Sequence, residues 1–368
     1  MKIAIIGASY GQLPLCLKAK EMGLKTICFA WEEGAICRNY VDKFYPISVS
    51  EKDRILEICR EENVDGVVSN ASDYLAEIVA FLSEQLNLVG NSAKNILLIK
   101  DKYYVRNETL NISNLKQVRF LKYDGSFPPF YPCVVKPVTG AAKKGVYFVN
   151  NTENFQQVIE YTKQFTEDII IEEYISGREF SVETISFKGK HYLVQITEKE
   201  NSGPPHFVEL AHHQPASLSS DLKDKIAKIV EEILKRVGFE NGAAHIEMKI
   251  DYNSNVYLIE VNPRGGGDEI SSCLVELSTG YDYIKAMIEV ALNDFKPFEM
   301  MSSLYYSGIY FLCNQTKDRL NFFKYANNKP WLVKKNIKSY ELMDATGNYD
   351  RNGYLIYKSN CKIDCYDD

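Results

Sequence analysis

Glu247, Glu260, Asn262 and Arg264 are the residues of this sequence whose types and spacing most invite chemistry. The last three stand in YLIEVNPRGGGDE, Tyr257 to Glu269, which begins as a strand, presents E-x-N-x-R and passes into Gly265-Gly266-Gly267. Glu247 lies upstream in AHIEMKI. Alternation there puts His245, Glu247 and Lys249 on one face and Ala244, Ile246, Met248 and Ile250 on the other. By the same rule Leu258, Glu260 and Asn262 share a face. The intervening DYNSN, from Asp251 to Asn255, has the composition of a turn. A hairpin centred on Asn253-Ser254 sets Glu247 opposite Glu260, with Cβ atoms about 4.5–5.5 Å apart. Two opposed carboxylates repel. A hard divalent cation relieves that repulsion, because Mg²⁺ takes oxygen ligands, and Asn262 adds a neutral oxygen. An exposed sheet face dotted with acids gives the same pattern, and the hairpin alone does not choose between the two. Arg264 keeps its charge and suits a carboxylate or a phosphorylated group, although a structural salt bridge uses it equally. The glycines allow close backbone approach and leave bare amides.

Two lysines and a loop add to this set. Lys136 ends the apolar run Cys133-Val-Val, and Lys102 stands in KDKYYVR. Each is a compact cation able to offset phosphate charge, or else solvated surface. The loop Ser202–Pro215 holds His206, His212 and His213, three of the five histidines. Zinc is one reading of that cluster, but no H-x3-H or H-x-x-E-H spacing supports it.

The elements that must position these residues follow from periodicity. Lys2–Ile6, Lys25–Phe29 and Val64–Ser69 read as buried parallel strands. They alternate with helices Leu13–Met22, Lys52–Glu62 and Tyr74–Gln85, the order of a doubly wound sheet. Gly7-x-x-x-Gly11 is not G-x-G-x-x-G, so a tight strand-to-helix turn is the simpler reading than a dinucleotide site. Ala93–Asn107 reads as one helix. Strands Cys133–Lys136 and Gly145–Val149, helix Glu153–Phe165 and strand Asp168–Glu172 make a small α+β unit. Strands Glu179–Phe187 and Lys190–Lys199 follow, and a polar loop opens at Glu200. Asp221–Val237 is amphipathic, with Ile226, Ile229, Val230, Ile233 and Leu234 on one face. Beyond Pro297 the chain is rich in aromatics and alternates like strands.

A chain of 368 residues, 45% hydrophobic, can bury two or three subdomain cores. The net charge of −6 argues against a nucleic-acid partner. No run approaches the roughly 18 apolar residues of a membrane helix. Nine cysteines without framework spacing fit a reducing, cytoplasmic setting.

Together these residues resemble the ATP-grasp superfamily, which includes D-alanine–D-alanine ligase, biotin carboxylase and the bacterial L-amino-acid ligases. The resemblance covers about residues 1–300. It implies an α/β fold with an N-terminal doubly wound domain (1–92), a helical linker (93–115), a small α+β lid (116–178), a central antiparallel-sheet domain (179–300) and a C-terminal β-rich lobe (301–368). It makes Glu247, Glu260 and Asn262 the ligands of two magnesium ions, and Lys102 and Lys136 the nucleotide lysines. IIIEEYISGREF, Ile169 to Phe180, is similar to the family's adenine strand. The Glu173 carbonyl and Ile175 amide then bind the adenine edge, with Tyr174 between them. Glu172 lies near the amino group and Glu179 holds the ribose. The flap, Thr139 to Val146, departs from the family in having fewer glycines and the extra cations Lys143 and Lys144. Lys144 is expected to neutralise phosphate directly. G-P-P-x-F-V-E…H-x-x-P is similar to the substrate loop of the bacilysin-type ligases. This places His206 and His212 with Arg264, Gly265 and Gly266 at the acyl site, His212 and Arg264 being catalytic. His245 stands where cell-wall dipeptide ligases have arginine, which leaves transition-state charge to Arg264. Arg351-Asn-Gly353-Tyr354 is suggestive of a further lobe contribution. The implied activity is ATP-dependent joining of a small carboxylate, such as an amino acid, to an amine through an acyl phosphate. A bicarbonate-activating carboxylase and a non-catalytic ATP sensor are the alternatives. A homodimer is compatible with the family.

Overall fold

Burial on both faces of the first strand decides the first domain. In the computed structural model, which describes residues 1–140, 143–298 and 302–365, β1 (Lys2–Ile6), β2 (Lys25–Ala30), β3 (Lys43–Pro46) and β4 (Gly66–Val68) form a parallel sheet ordered β3-β2-β1-β4. Ile3 and Ile5 pack with α1 (Leu13–Glu21) and with the later helix Tyr283–Ala291. Ala4 and Ile6 pack on the other face, with α2 (Lys52–Glu62) and α3 (Asp73–Gln85). Strand β3 was not expected; KFYP is short and only half-buried at its centre. The strand order reverses between β1 and β4, and their carboxyl ends form a crevice where such sheets place ligands.

The single helix expected over Ala93–Asn107 is two. Asp101, at φ −79° and ψ 104°, ends α4 (Ala93–Lys100) and caps α5 (Lys102–Glu108) by accepting from the Tyr104 N–H at 2.8 Å. The break swings Lys102 to the head of a new helix, where its N–H donates to the Val138 carbonyl at 3.0 Å. After β5 (Leu115–Lys116), strands β6 (Phe120–Lys122), β7 (Cys133–Pro137), β8 (Tyr147–Val149) and β9 (Ile169–Glu173) make an antiparallel sheet ordered β6-β9-β7-β8. Helix α6 (Phe155–Lys163) covers it through Phe155, Val158 and Ile159.

The rest of the chain builds one nine-stranded sheet. Its strands are β10 (Arg178–Phe187), β11 (Lys190–Asn201), β12 (Glu209–Gln214), β13 (Gly242–Ile250), β14 (Val256–Asn262), β15 (Tyr306–Leu312), β16 (Leu332–Ile337) and β17 (Gly353–Ser359), with β5 at the edge. The order is β16-β17-β15-β12-β11-β10-β13-β14-β5. The C-terminal strands therefore extend the central sheet through β12 and β15. Strand β11 runs on through Asn201, and β12 lies within the segment expected to be loop. Ile226, Ile229, Val230, Ile233 and Leu234 of α7 (Ser220–Arg236) are buried in the core beneath this sheet. Flap residues 141–142 and the expected boundary at 300/301 fall outside the described residues. Among the described residues no helix is long and apolar enough to cross a membrane.

Candidate functional site

A cavity of about 140 Å³ lies between the small sheet, α5 and the central sheet. Lys102, Lys136, Lys144, Glu172, Glu173, Tyr174, Ile175 and Glu179 all line it, together with Glu247 and Glu260. Val118, Val134, Val146 and Ile259 supply apolar wall, the usual lining of a small-molecule site.

A buried ionic cluster braces its floor. Glu172 accepts from Lys136 at 2.7 Å and from both Nε and Nη2 of Arg106, at 2.8 and 3.1 Å. Arg106 Nη2 also donates to the Ile259 carbonyl at 2.8 Å. All three charged residues are buried. Burial pushes the Glu172 carboxyl up, but Arg106 and Lys136 outweigh it and hold the group at about 2. Arg106 was not singled out from the sequence, although the signal was there: it stands one helical turn beyond Lys102 in KDKYYVR. Glu173 is held on its own side by the Arg119 fork, both contacts at 2.9 Å. Glu179 accepts from Asn201 Nδ2 at 2.8 Å.

The two acids of the hairpin do face each other. Glu247 pairs with Glu260, Ile246 with Val261 and His245 with Asn262. Beyond Glu247 the register is shifted by one residue, Met248 pairing with Leu258 and Ile250 with Val256, which centres the turn on Asn253. A β-bulge at Ile259 absorbs the difference. It also corrects the expected faces: Leu258 is in the core with Met248, while Ile259 and Glu260 both turn to the cavity. Arg106 holds the carbonyl of that bulged residue.

Each acid already has a cation. Lys102 Nζ is 2.9 Å from Glu260, and Lys199 Nζ is 2.9 Å from Glu247. His245 Nε2 stands 3.3 Å from the same Glu247 oxygen, and its Nδ1 meets the buried Glu183. Burial raises the Glu247 carboxyl, and Lys199 and His245 bring it well below the ordinary carboxylate value. Among the described residues no group of three or more His, Cys, Asp or Glu is assembled as a metal site. The set to judge is thus two carboxylates and the Asn262 amide. Its all-oxygen chemistry, and the demand both acids already show for positive charge, fit a hard divalent ion.

The residues expected at an acyl site are placed differently. Arg264 lines not the first cavity but a second, of about 80 Å³, beside Ser69, Ser72, Asn91 and Asn241 near the carboxyl end of β4. Its Nε donates to Asp73 at 3.1 Å and its Nη1 to the Gly265 carbonyl at 3.1 Å. The Gly266 N–H is already used, donating to Glu183 at 2.9 Å, which corrects the expectation of a loop of bare amides. Gly265 and Gly266 are required by crowding. A Cβ on Gly265 would stand 2.6 Å from Asn70 Oδ1, and one on Gly266 2.8 Å from His245 Nδ1. The left-handed turn that follows falls on Asp268 and Glu269 (φ 49° and 63°), not on glycine.

His212 is buried on β12, with Nε2 3.7 Å from Asp268 and Nδ1 without a partner among the described residues. Asp268 is gripped by Arg351 at 2.6 and 3.0 Å, and the Arg351 guanidinium stacks on Phe311, 3.6 Å from the ring centre. His206 is exposed and lines neither cavity. His213 binds Tyr357 Oη at 2.9 Å and Glu200 at 3.0 Å, so the three loop histidines do not converge. Lys143, whose role the sequence left open, has φ 61° and reaches Glu209 at 2.7 Å and the Phe207 carbonyl. Asp73, Glu183, Lys199 and Asp268 escaped the sequence reading because no local motif marks them.

Fold and cavity together form an ATP-grasp arrangement, in which a cleft lies between a small sheet and a large antiparallel sheet. Residues 129–272 match the ATP-grasp domain family, and this part of the chain is an ATP-grasp domain. The chain is 26% identical over 272 residues to the carbamoyl phosphate synthase large chain of Clostridium botulinum (strain Kyoto / Type A2), covering 68% of this chain and 24% of that protein. It therefore spans about a quarter of the length of the first curated relatives it matches. The L-amino acid ligase of Bacillus licheniformis has a similar structure, with TM-score 0.78, 23% identity, and 98% of this chain and 93% of that one covered. So has the N5-carboxyaminoimidazole synthetase of Staphylococcus aureus in complex with ADP, with TM-score 0.77, 18% identity and coverage of 98% and 93%.

Proposed function

We propose that the chain is an ATP-dependent carboxylate–amine ligase acting on an amino acid or similar small carboxylate. The observation that carries this is the convergence of ten expected residues on one cavity, with Glu247 and Glu260 in register across β13 and β14. ATP lies with its adenine against Glu173–Ile175, its ribose at Glu179 and its phosphates toward Lys102, Lys136 and Lys144. Glu247, Glu260 and Asn262 would hold Mg²⁺, which would offset charge on the transferred phosphoryl group. A carboxylate oxygen of the substrate attacks the γ-phosphorus and ADP leaves. The amine nitrogen then attacks the acyl carbon, phosphate leaves, and the nitrogen loses a proton as the amide forms.

Because Asp73 and Gly265 occupy only Nε and Nη1 of Arg264, its remaining edge is available for the acyl phosphate. His212, with Nε2 3.7 Å from Asp268 and a buried Nδ1 unpartnered among the described residues, lines neither cavity; its assigned role is to orient the carboxylate or carry the amine proton. The second cavity, which Arg264 lines beside the N-terminal sheet, is the place we assign to the amine. A phosphate-release screen of amino acids, singly and in pairs, tests the reading, with product masses recorded and Glu260→Ala run alongside. Release that needs an acid and an amine together, yields their amide and disappears in Glu260→Ala is the expected result. Release with bicarbonate alone would mark a carboxylase, and release with none of these substrates would contradict both.

A further inference from the structure

Lys199 lies on β11 beneath the nucleotide cavity and is not among the residues lining it. Its side chain is 4% exposed, and its Nζ stands 2.9 Å from Glu247, 3.2 Å from Glu209 and 3.6 Å from Glu179. Those three carboxylates come from β13, β12 and β10. In the proposed site they are the metal ligand, the acid of the substrate loop and the ribose acceptor. One buried ammonium thus collects an acid from each of three functions. Glu209 is also held from the flap by Lys143, at 2.7 Å.

The contrast with Lys102 is informative. Lys102 also holds a metal-site acid, Glu260, but it lines the cavity and can turn to a phosphate. Were Lys199 to turn to the nucleotide, Glu247, Glu209 and Glu179 would each lose an ammonium, leaving Glu209 to Lys143 and Glu247 to His245. Breaking one partner from such a buried set is strongly destabilising, because the remaining charges stay in low dielectric. Three carboxylates within 4 Å of one ammonium favour its charged form.

We infer that Lys199 is a positioning residue that stands in for the metal. Its ammonium holds Glu179, Glu209 and Glu247 in their ligand-binding arrangement before the ligand arrives, and releases its share of Glu247 to the divalent ion. This rests on the reading of Glu247 as a metal ligand. It predicts that the metal and Lys199 do overlapping work, so that removing one makes the protein depend on the other.

The test compares wild type, Lys199→Met, Lys199→Gln and Lys199→Arg, by melting temperature and by ADP titration, in EDTA and in MnCl₂. Expected is a Lys199→Met protein that melts well below wild type in EDTA and recovers much of the loss in Mn²⁺. The ratio of its ADP dissociation constants, EDTA over Mn²⁺, should rise about tenfold above that of wild type. Lys199→Gln should behave in the same direction, and Lys199→Arg should lie near wild type. Adding Glu247→Gln to Lys199→Met should abolish the Mn²⁺ recovery. Equal losses with and without Mn²⁺, or variants unfolded in both, would show a packing role only and overturn the inference. Wild type that gains neither stability nor ADP affinity from Mn²⁺ would overturn the metal assignment itself, a different failure.

Discussion

The proposed nucleotide end and the proposed acyl end of this site are built in different ways. Most residues of the nucleotide end come from strands that pair directly: Lys136 on β7 beside Glu172 on β9, Glu247 on β13 beside Glu260 on β14. Glu172, Glu247 and Glu260 each have a cation at hydrogen-bond distance. The acyl end is assembled from remote pieces. Arg264 leans on Asp73 of the N-terminal domain, and His212 on Asp268, which is held by Arg351 close to the C-terminus. Sheet pairing can carry a fixed chemistry from chain to chain, whereas loops gathered from three regions can change one at a time. That division suits an enzyme class with a constant nucleotide and varied substrates.

If the division holds, substitutions at the two ends fail differently. Glu260→Gln should cut phosphate release by about 10²–10³-fold, the scale of losing one charge-stabilising contact in a transition state, while its melting curve moves little. Arg106→Leu attacks the brace and not the chemistry. It leaves Glu172 against Lys136 alone and frees the bulge carbonyl of Ile259. It should cost about 3–5 kcal/mol in urea unfolding, the range for breaking a buried ion pair. Lys144 has no ion-pair partner among the described residues and is exposed at the cavity. Lys144→Ala should weaken ADP binding about fivefold at most, the scale of one exposed ion pair, leaving stability unchanged.

The smallest effect lies far from both ends. Burial pushes the His191 imidazole down from 6.5 to about 4, and Ser186 Oγ meets its Nδ1 at 2.8 Å. Between those values the unfolded chain binds a proton that the folded chain does not. Stability is therefore full above pH 6.5 and falls as pH drops toward 4. His191→Gln should flatten that part of a melting-temperature profile, and an unchanged slope would assign it to other groups.

Much of this was legible in the sequence. The parallel strands of the first domain and α7 follow from apolar periodicity. The cavity residues came from motifs whose order matches a family. What was hidden has physical causes. Asp101 breaks a periodic helix because its side chain caps better than it propagates. The Ile259 bulge shifts the register toward the turn by one residue yet keeps Glu247 opposite Glu260, so the expected pairing holds although the turn centres on Asn253. Strand β12 was read as loop because GPPHFVELAHHQP mixes turn residues with a short buried run. Asp73, Asp268 and Lys199 act through partners far away in sequence, and only the fold brings those partners near.

The central claim is that Glu247 and Glu260 receive a divalent ion against the phosphates of a bound nucleotide. Crystals soaked with MnCl₂ and a non-hydrolysable ATP analogue test it through the anomalous signal of manganese. The account predicts a peak between the two carboxylates, with adenine beside Glu173–Ile175. A nucleotide bound elsewhere, or one bound in this cavity while both acids stay on their lysines and no peak appears, would contradict it.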